Sequence, residues 1–155
     1  MGSITKRIES TERHQVIDLT GIVQQVVRDS GVVDGICVVF IPHTTAGVTV
    51  NENFDPDVKH DVLSKLAALV PEHESYYQHA EGNSDAHLKA SLVGNNATLL
   101  VDGGRLVLGR WQGVYFCEFD GPRMRDVLVK VLGDARRSAS REAEGDVNES
   151  DLLQD

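Results

Sequence analysis

Hydrophobic and polar positions change their period along the chain, and the changes mark its elements. Ile4 to Glu9 and Gln15 to Leu19 have strand character, separated by the polar run Ser10-Thr11-Glu12-Arg13. That pattern predicts a hairpin. In TGIVQQVVRDSG the apolar residues Ile22, Val23, Val26 and Val27 fall at helical spacing, with Thr20 as N-cap and Gly31 as the stop. GICVVFIP is a short β-branched run that reads as a buried strand ended by Pro42, and Gly47 to Val50 reads as another strand. Asp55-Pro56-Asp57 is a strong helix start, because an acid caps, proline takes the first turn and a second acid favours the positive end of the dipole. Val58, Val62, Leu66 and Leu69 continue that helix and Pro71 stops it. Glu72 to Asn83 is polar and irregular, and Ser84 to Val93 predicts a short helix capped by Ser84 and ended by Gly94.

From Ala97 the runs ATLLV, RLVLG, GVYFCEF and RDVLVKVL are β-rich and divided by turn residues, which predicts a meander. Strands at both ends with helices between them indicate α+β rather than a parallel α/β sheet. After Gly133 the composition shifts: residues 134–155 hold seven acids, three arginines and few apolar residues. This segment is expected to be a solvated, disordered tail, with a peptide anchored by Leu152 and Leu153 as the alternative. The domain is therefore expected over residues 1–133.

At 155 residues the chain suits one domain able to fold without disulfides. The formal net charge of −9 opposes loose binding to nucleic acid or anionic membranes, which needs Lys and Arg to neutralise phosphates. Cys37 and Cys117 each sit in an apolar run and are expected as buried, reduced thiols. The N-terminus lacks a hydrophobic signal core and no apolar run approaches a bilayer span, so a cytoplasmic protein is expected.

Three stretches can carry chemistry. In IPHTTAGVTVNENFDPD, His43 follows a strand end and is succeeded by the hydroxyls of Thr44 and Thr45 and by small residues, a pattern suited to phosphate oxygens or to a plain capped turn. Glu52 and Asp57 are candidates for a metal or an ammonium group, and a divalent cation held by these acids would bridge them to a diphosphate. YYQHAEGNSDAHLKA brings His79, Glu81, Asn83, Asp85, His87 and Lys89 together in sequence, after a long loop of the kind that carries function. Asp85 and Lys89, four apart, can pair on one helix face. His79 and His87 lack the spacing of a helical zinc pair and can meet only through the loop. His14, His60 and His73 are read as bland. In GRWQGVYFCEFDGPR, Trp111 can stack on a planar ring or simply fill the core, Gln112 can hydrogen-bond a ligand, and Arg123 can bind phosphate or pair with Asp120. Walker, Rossmann and G-x-S-x-G patterns do not occur.

Taken in order, HTTAGVTVNENFDPDV (43–58), EGNSDAHLKASLVG (81–94) and GGRLVLGRWQGVYFCEFDGPRMRDVLVKVLG (103–133) resemble the YjbQ-like family of secondary thiamine-phosphate synthases. The resemblance implies an antiparallel β-sandwich or barrel-like core with flanking helices, assembled as a homotrimer. It implies a transferase that joins hydroxymethylpyrimidine diphosphate to thiazole phosphate and releases pyrophosphate, with Mg²⁺. On matching positions it implies a site of His43, Thr44, Thr45, Asn53, Asp57, His79, Asn83, His87, Lys89, Trp111 and Gln112. Within it His43, His87, Lys89 and Asp57 are the expected catalytic residues and Thr44, Thr45, Asn53, Asn83, Trp111 and Gln112 the expected substrate contacts, to which the residue reading adds Arg123. Arg110 and Phe54 depart from the family pattern. Two other functions remain in view: a metal-dependent hydrolase with Zn²⁺ on His43, His79 and His87, and a non-catalytic binding module for a phosphorylated metabolite.

Overall fold

The computed structural model describes residues 2–135. Its elements run β1 (Ile4–Glu9), β2 (Gln15–Asp18), α1 (Thr20–Ser30), β3 (Val32–Phe40), β4 (Ala46–Glu52), α2 (Pro56–Leu69), α3 (Ser84–Val93), β5 (Asn96–Asp102), β6 (Arg105–Leu106), β7 (Gln112–Glu118) and β8 (Met124–Ala135). The strands form a five-stranded sheet, β1-β8-β3-β5-β6, and a three-stranded sheet, β2-β7-β4, with antiparallel pairing throughout. The α+β reading, with an antiparallel two-sheet core and flanking helices, holds.

Period-2 patterning identifies strands but not their partners, and two expectations fail for that reason. β1 and β2 do not form a hairpin. β1 pairs with β8, Ile4 opposite Val129 and Glu9 opposite Met124, while β2 pairs with β7. The polar break between them is a corner from one sheet to the other, held by buried Ser10: its N–H donates to Arg123 O at 2.9 Å and its hydroxyl to the Glu118 carboxylate at 2.6 Å. Nor is the C-terminal third one meander. β5, β6 and β8 lie in the larger sheet and β7 in the smaller.

The main core fills the space between the sheets. Cys37, Val39, Leu99, Val101, Val127 and Val129 face Val48, Val114 and Phe116, and α1 inserts Val23, Val26 and Val27. A second cluster joins the other face of the smaller sheet to α2 and α3 through Tyr115, Cys117, Phe119, Ala86, Ala90, Leu63 and Leu66. Alternation along β7 feeds both clusters, which is why that strand is buried on each side. Burial raises the Cys37 thiol to about 11 and the Cys117 thiol to about 12, so both are inert, as their apolar runs predict.

Helix ends show where local reasoning holds. Asp55 caps α2 by accepting from Asp57 N–H at 2.9 Å, with Pro56 in the first turn. Thr20 does not cap α1: its N–H donates to Asp18 Oδ1, and its hydroxyl oxygen accepts from Val114 N–H instead. Asn83 rather than Ser84 occupies the cap of α3. β8 continues through Asp134 and Ala135, past the boundary expected at Gly133, and the remainder of the acidic tail lies outside the described residues. Among the described residues no helix is long and apolar enough to cross a membrane.

Candidate functional site

Strand β3 ends at Phe40, Ile41 is buried with its N–H donated to Asn95 O, and the chain then turns outward through Pro42, His43 and Thr44 before β4 begins. His43 Nε2 accepts the Asp126 N–H at 2.9 Å, so the neutral ring carries its proton on Nδ1. Burial and then the Arg125 charge hold its pKa below the ordinary histidine value. Thr45 is buried, and its hydroxyl oxygen accepts from Arg125 Nη2 at 2.8 Å.

The loop from Val70 to Asn83 brings the second histidine pair. Tyr77 braces it by donating its hydroxyl to Pro71 O at 3.0 Å, and Gly82, at φ 71°, turns the chain back with its N–H on His79 O. His79 then meets His87 of α3 edge to face, ring centroids 5.2 Å apart. Asn83 Nδ2 donates to Asp120 at 2.8 Å, while its buried Oδ1 has no partner among the described residues.

These pieces close around a polar cavity of about 370 Å³ lined by His43, Thr44 and Thr45 from one loop, His79 and Asn83 from another, His87, Arg123 and Arg125. A hollow of about 570 Å³ adjoins it, bordered by Tyr76, Tyr77 and Leu88 with His79 and His87. A third, of about 330 Å³, is bordered by His43, Thr44, Ser91 and His87. His87 stands at the meeting point of all three.

Five expected site residues lie elsewhere. Lys89 is only 2% exposed: its Nζ donates to Asp85 at 2.7 Å and lies 3.3 Å from His14 Nε2, and Arg13 grips the same carboxylate with two bonds. Lys89 is thus a buried ion-pair partner and does not border the cavity, because the i,i+4 spacing that pairs it with Asp85 turns it inward. Asn53 donates to Asp18, Asp57 sits exposed in the first turn of α2, Gln112 accepts from Gly109 N–H, and half-exposed Trp111 stacks with Phe54 and Arg110. These four gather at the far end of β4. Glu52 pairs with Gln112 there, while Ala46 pairs with Glu118 beside the cavity. That separation is about 20 Å along the strand.

Arg125 escapes the residue-type reading, while Arg123 takes the second of its two expected roles by donating to Asp120 at 2.9 Å. The signal was present as parity: Arg125 shares the inward register of Val127, Val129 and Val131, and Glu118 that of Val114 and Phe116. A charge in an apolar register announces a buried ion pair, and Arg125 meets Glu118 at 2.6 Å. For the expected metal, His43, His79 and His87 share a cavity, yet His43 Nε2 is engaged. Among the described residues no three His, Cys, Asp or Glu side chains stand together as an ion site. The residues present do not fit a three-histidine centre within one chain.

Among the described residues, two curled antiparallel sheets and three helices form a small α+β domain with a histidine-bordered polar cavity. Comparison with known proteins places it further. The model of the UPF0047 protein YjbQ-like family matches residues 4–134, and the chain belongs to that family. It is 48% identical over 128 residues to a UPF0047 protein of Methanocaldococcus jannaschii, covering 83% of this chain and 92% of that one. It is 46% identical over 129 residues to the UPF0047 protein YugU of Bacillus subtilis, covering 83% and 98%. A crystal structure of the family from Clostridium acetobutylicum superposes with a TM-score of 0.82 at 50% identity, over 83% of this chain and 99% of that chain. None of these names states a reaction.

Proposed function

We propose that this protein is a transferase of the thiamine-phosphate synthase type, joining hydroxymethylpyrimidine diphosphate to thiazole phosphate with release of pyrophosphate. The observation that carries the reading is the position of His87, where an aromatic-bordered hollow and two polar ones meet. Joining two substrates needs two compartments that share a boundary, which a single-ligand binding module does not. Tyr76, Tyr77 and Leu88 suit a planar ring, and this moves ring recognition away from Trp111. Thr44, Thr45, Arg123 and the Nδ1–H of His43 suit phosphate oxygens. The chemistry is ionisation at the ring-bearing carbon, so the chain's task is to hold the two reactants in line and stabilise the departing diphosphate. A divalent ion would enter on the diphosphate, as Mg²⁺ commonly does, and supply charge neutralisation there.

Assembly belongs to the same proposal. The outer face of the larger sheet exposes Ile36, Phe40, Leu100 and Leu132, an apolar surface suited to a homotrimer. A cytoplasmic location is proposed with it. The decisive experiment incubates purified protein with both substrates and Mg²⁺ and measures thiamine phosphate by chromatography. Product should form, and His87→Ala should lose it. Product no greater than in an enzyme-free control refutes the transferase. Saturable binding without turnover would leave the binding module, and stoichiometric zinc by elemental analysis would favour the hydrolase.

A further inference from the structure

The least expected group in the cavity is a cation that is almost wholly buried. Arg125 is 5% exposed, yet it lines the cavity. Its guanidinium is held on one side only. Nε donates to both oxygens of Glu118 at 2.9 and 3.2 Å, and Nη2 donates to Glu118 at 2.6 Å and to Thr45 at 2.8 Å. Nη1 takes no hydrogen-bond partner among the described residues. Glu118 is fixed in turn by the Ser10 hydroxyl at 2.6 Å and by the N–H groups of Phe119 and Asp120. This carboxylate, saturated with donors, orients the arginine.

We propose that Arg125 is the anchor of an oxyanion site. Its unbonded Nη1 edge, with the Thr45 hydroxyl and the Nδ1–H of His43, grips a phosphate or diphosphate group on the cavity floor. The proposal deepens the transferase reading by naming what holds the phosphoryl group, but it requires only binding. A guanidinium locked by Glu118 and Thr45 presents the two N–H groups of Nη1 without further ordering cost, and these can donate to phosphoryl oxygens. Thr45 accepts from Nη2, which leaves its own O–H to donate. Because Glu118 already neutralises Arg125, the grip comes from directed hydrogen bonds rather than net field, so binding should weaken only modestly with added salt.

The test is calorimetric titration of the full chain with inorganic phosphate and with pyrophosphate, without other substrate. Wild type should bind at least one saturably, with pyrophosphate tighter if the site spans a diphosphate. Arg125→Lys should weaken that anion about tenfold or more. Circular dichroism establishes that the variant is folded. If it is not, Thr45→Val, which keeps side-chain shape, carries the test and should weaken binding severalfold. Arg105→Gln, in a separate basic hollow with Arg28, should bind as wild type does. No saturable binding of either anion overturns the proposal, as does wild-type affinity in Thr45→Val or loss of binding in Arg105→Gln. Saturable, Arg125-dependent binding in a protein that makes no thiamine phosphate would sustain the anchor and reject the transferase.

Discussion

Replacing Lys89 by methionine isolates what the buried Asp85 cluster does. The wild-type carboxylate is fully buried and is held at about 2, against an ordinary 3.8, in opposition to its own desolvation, by hydrogen bonds from Arg13 and Lys89 and by their charges. That difference is worth about 2 kcal/mol of folding stability, present above pH ~4 and lost as pH falls through about 2, because only the unfolded chain binds the proton in between. Lys89→Met removes the shortest of these bonds and leaves Arg13 to hold a buried charge alone. Breaking a buried pair costs about 3–5 kcal/mol, and the surviving bidentate arginine puts this case at about 3. For a chain of this size that lowers Tm by roughly 6–12 °C. Thermal unfolding followed by circular dichroism at pH 7 measures it. The variant's acid transition should also move to higher pH as Asp85 becomes easier to protonate. A double-mutant cycle with Asp85→Asn should show strong coupling. If Lys89→Met melts within a degree or two of wild type while losing all turnover, Lys89 is a catalytic group and the buried-pair account is wrong.

Three further outcomes follow from the geometry. A Cβ at Gly113 would stand 2.5 Å from the Asn53 side chain, so Gly113→Ala should cost about 1–3 kcal/mol in urea unfolding. His43 should titrate below 6.5 by NMR with its proton on Nδ1; since the fold prefers the neutral ring, its stabilising effect is whole above that pH and is lost as pH falls through the lowered value. Leu100→Glu on the bare sheet face should turn an assembled species into monomer in analytical ultracentrifugation, and an unchanged sedimentation coefficient would exclude that face as the contact.

Elements were legible wherever a local signal decides them. The Asp55-Pro56-Asp57 helix start and the buried β-branched strands depend on capping and periodicity within a few residues, and they appear where the pattern puts them. Strand partnership is decided by contacts made across the whole chain, so the local pattern predicts a β1–β2 hairpin that does not form. The candidate site divides in the same manner. His43, His79 and His87 converge because the loop before α3 folds back, and residue type alone flagged them. Trp111, Gln112, Asn53 and Asp57 carry equally suggestive chemistry but are kept away by the length of β4. Arg125 went unnoticed because attention to residue type passed over the face of the strand it occupies.

The strand order has one more consequence. In each sheet a central strand, β8 in one and β7 in the other, comes from the last third of the chain, flanked by strands from the first third. Until β7 and β8 have emerged, a growing polypeptide can therefore complete neither sheet, and its earlier strands wait with open edges. Both sheets then close nearly together, and a translation product stalled before those two strands has no smaller native state in which to rest.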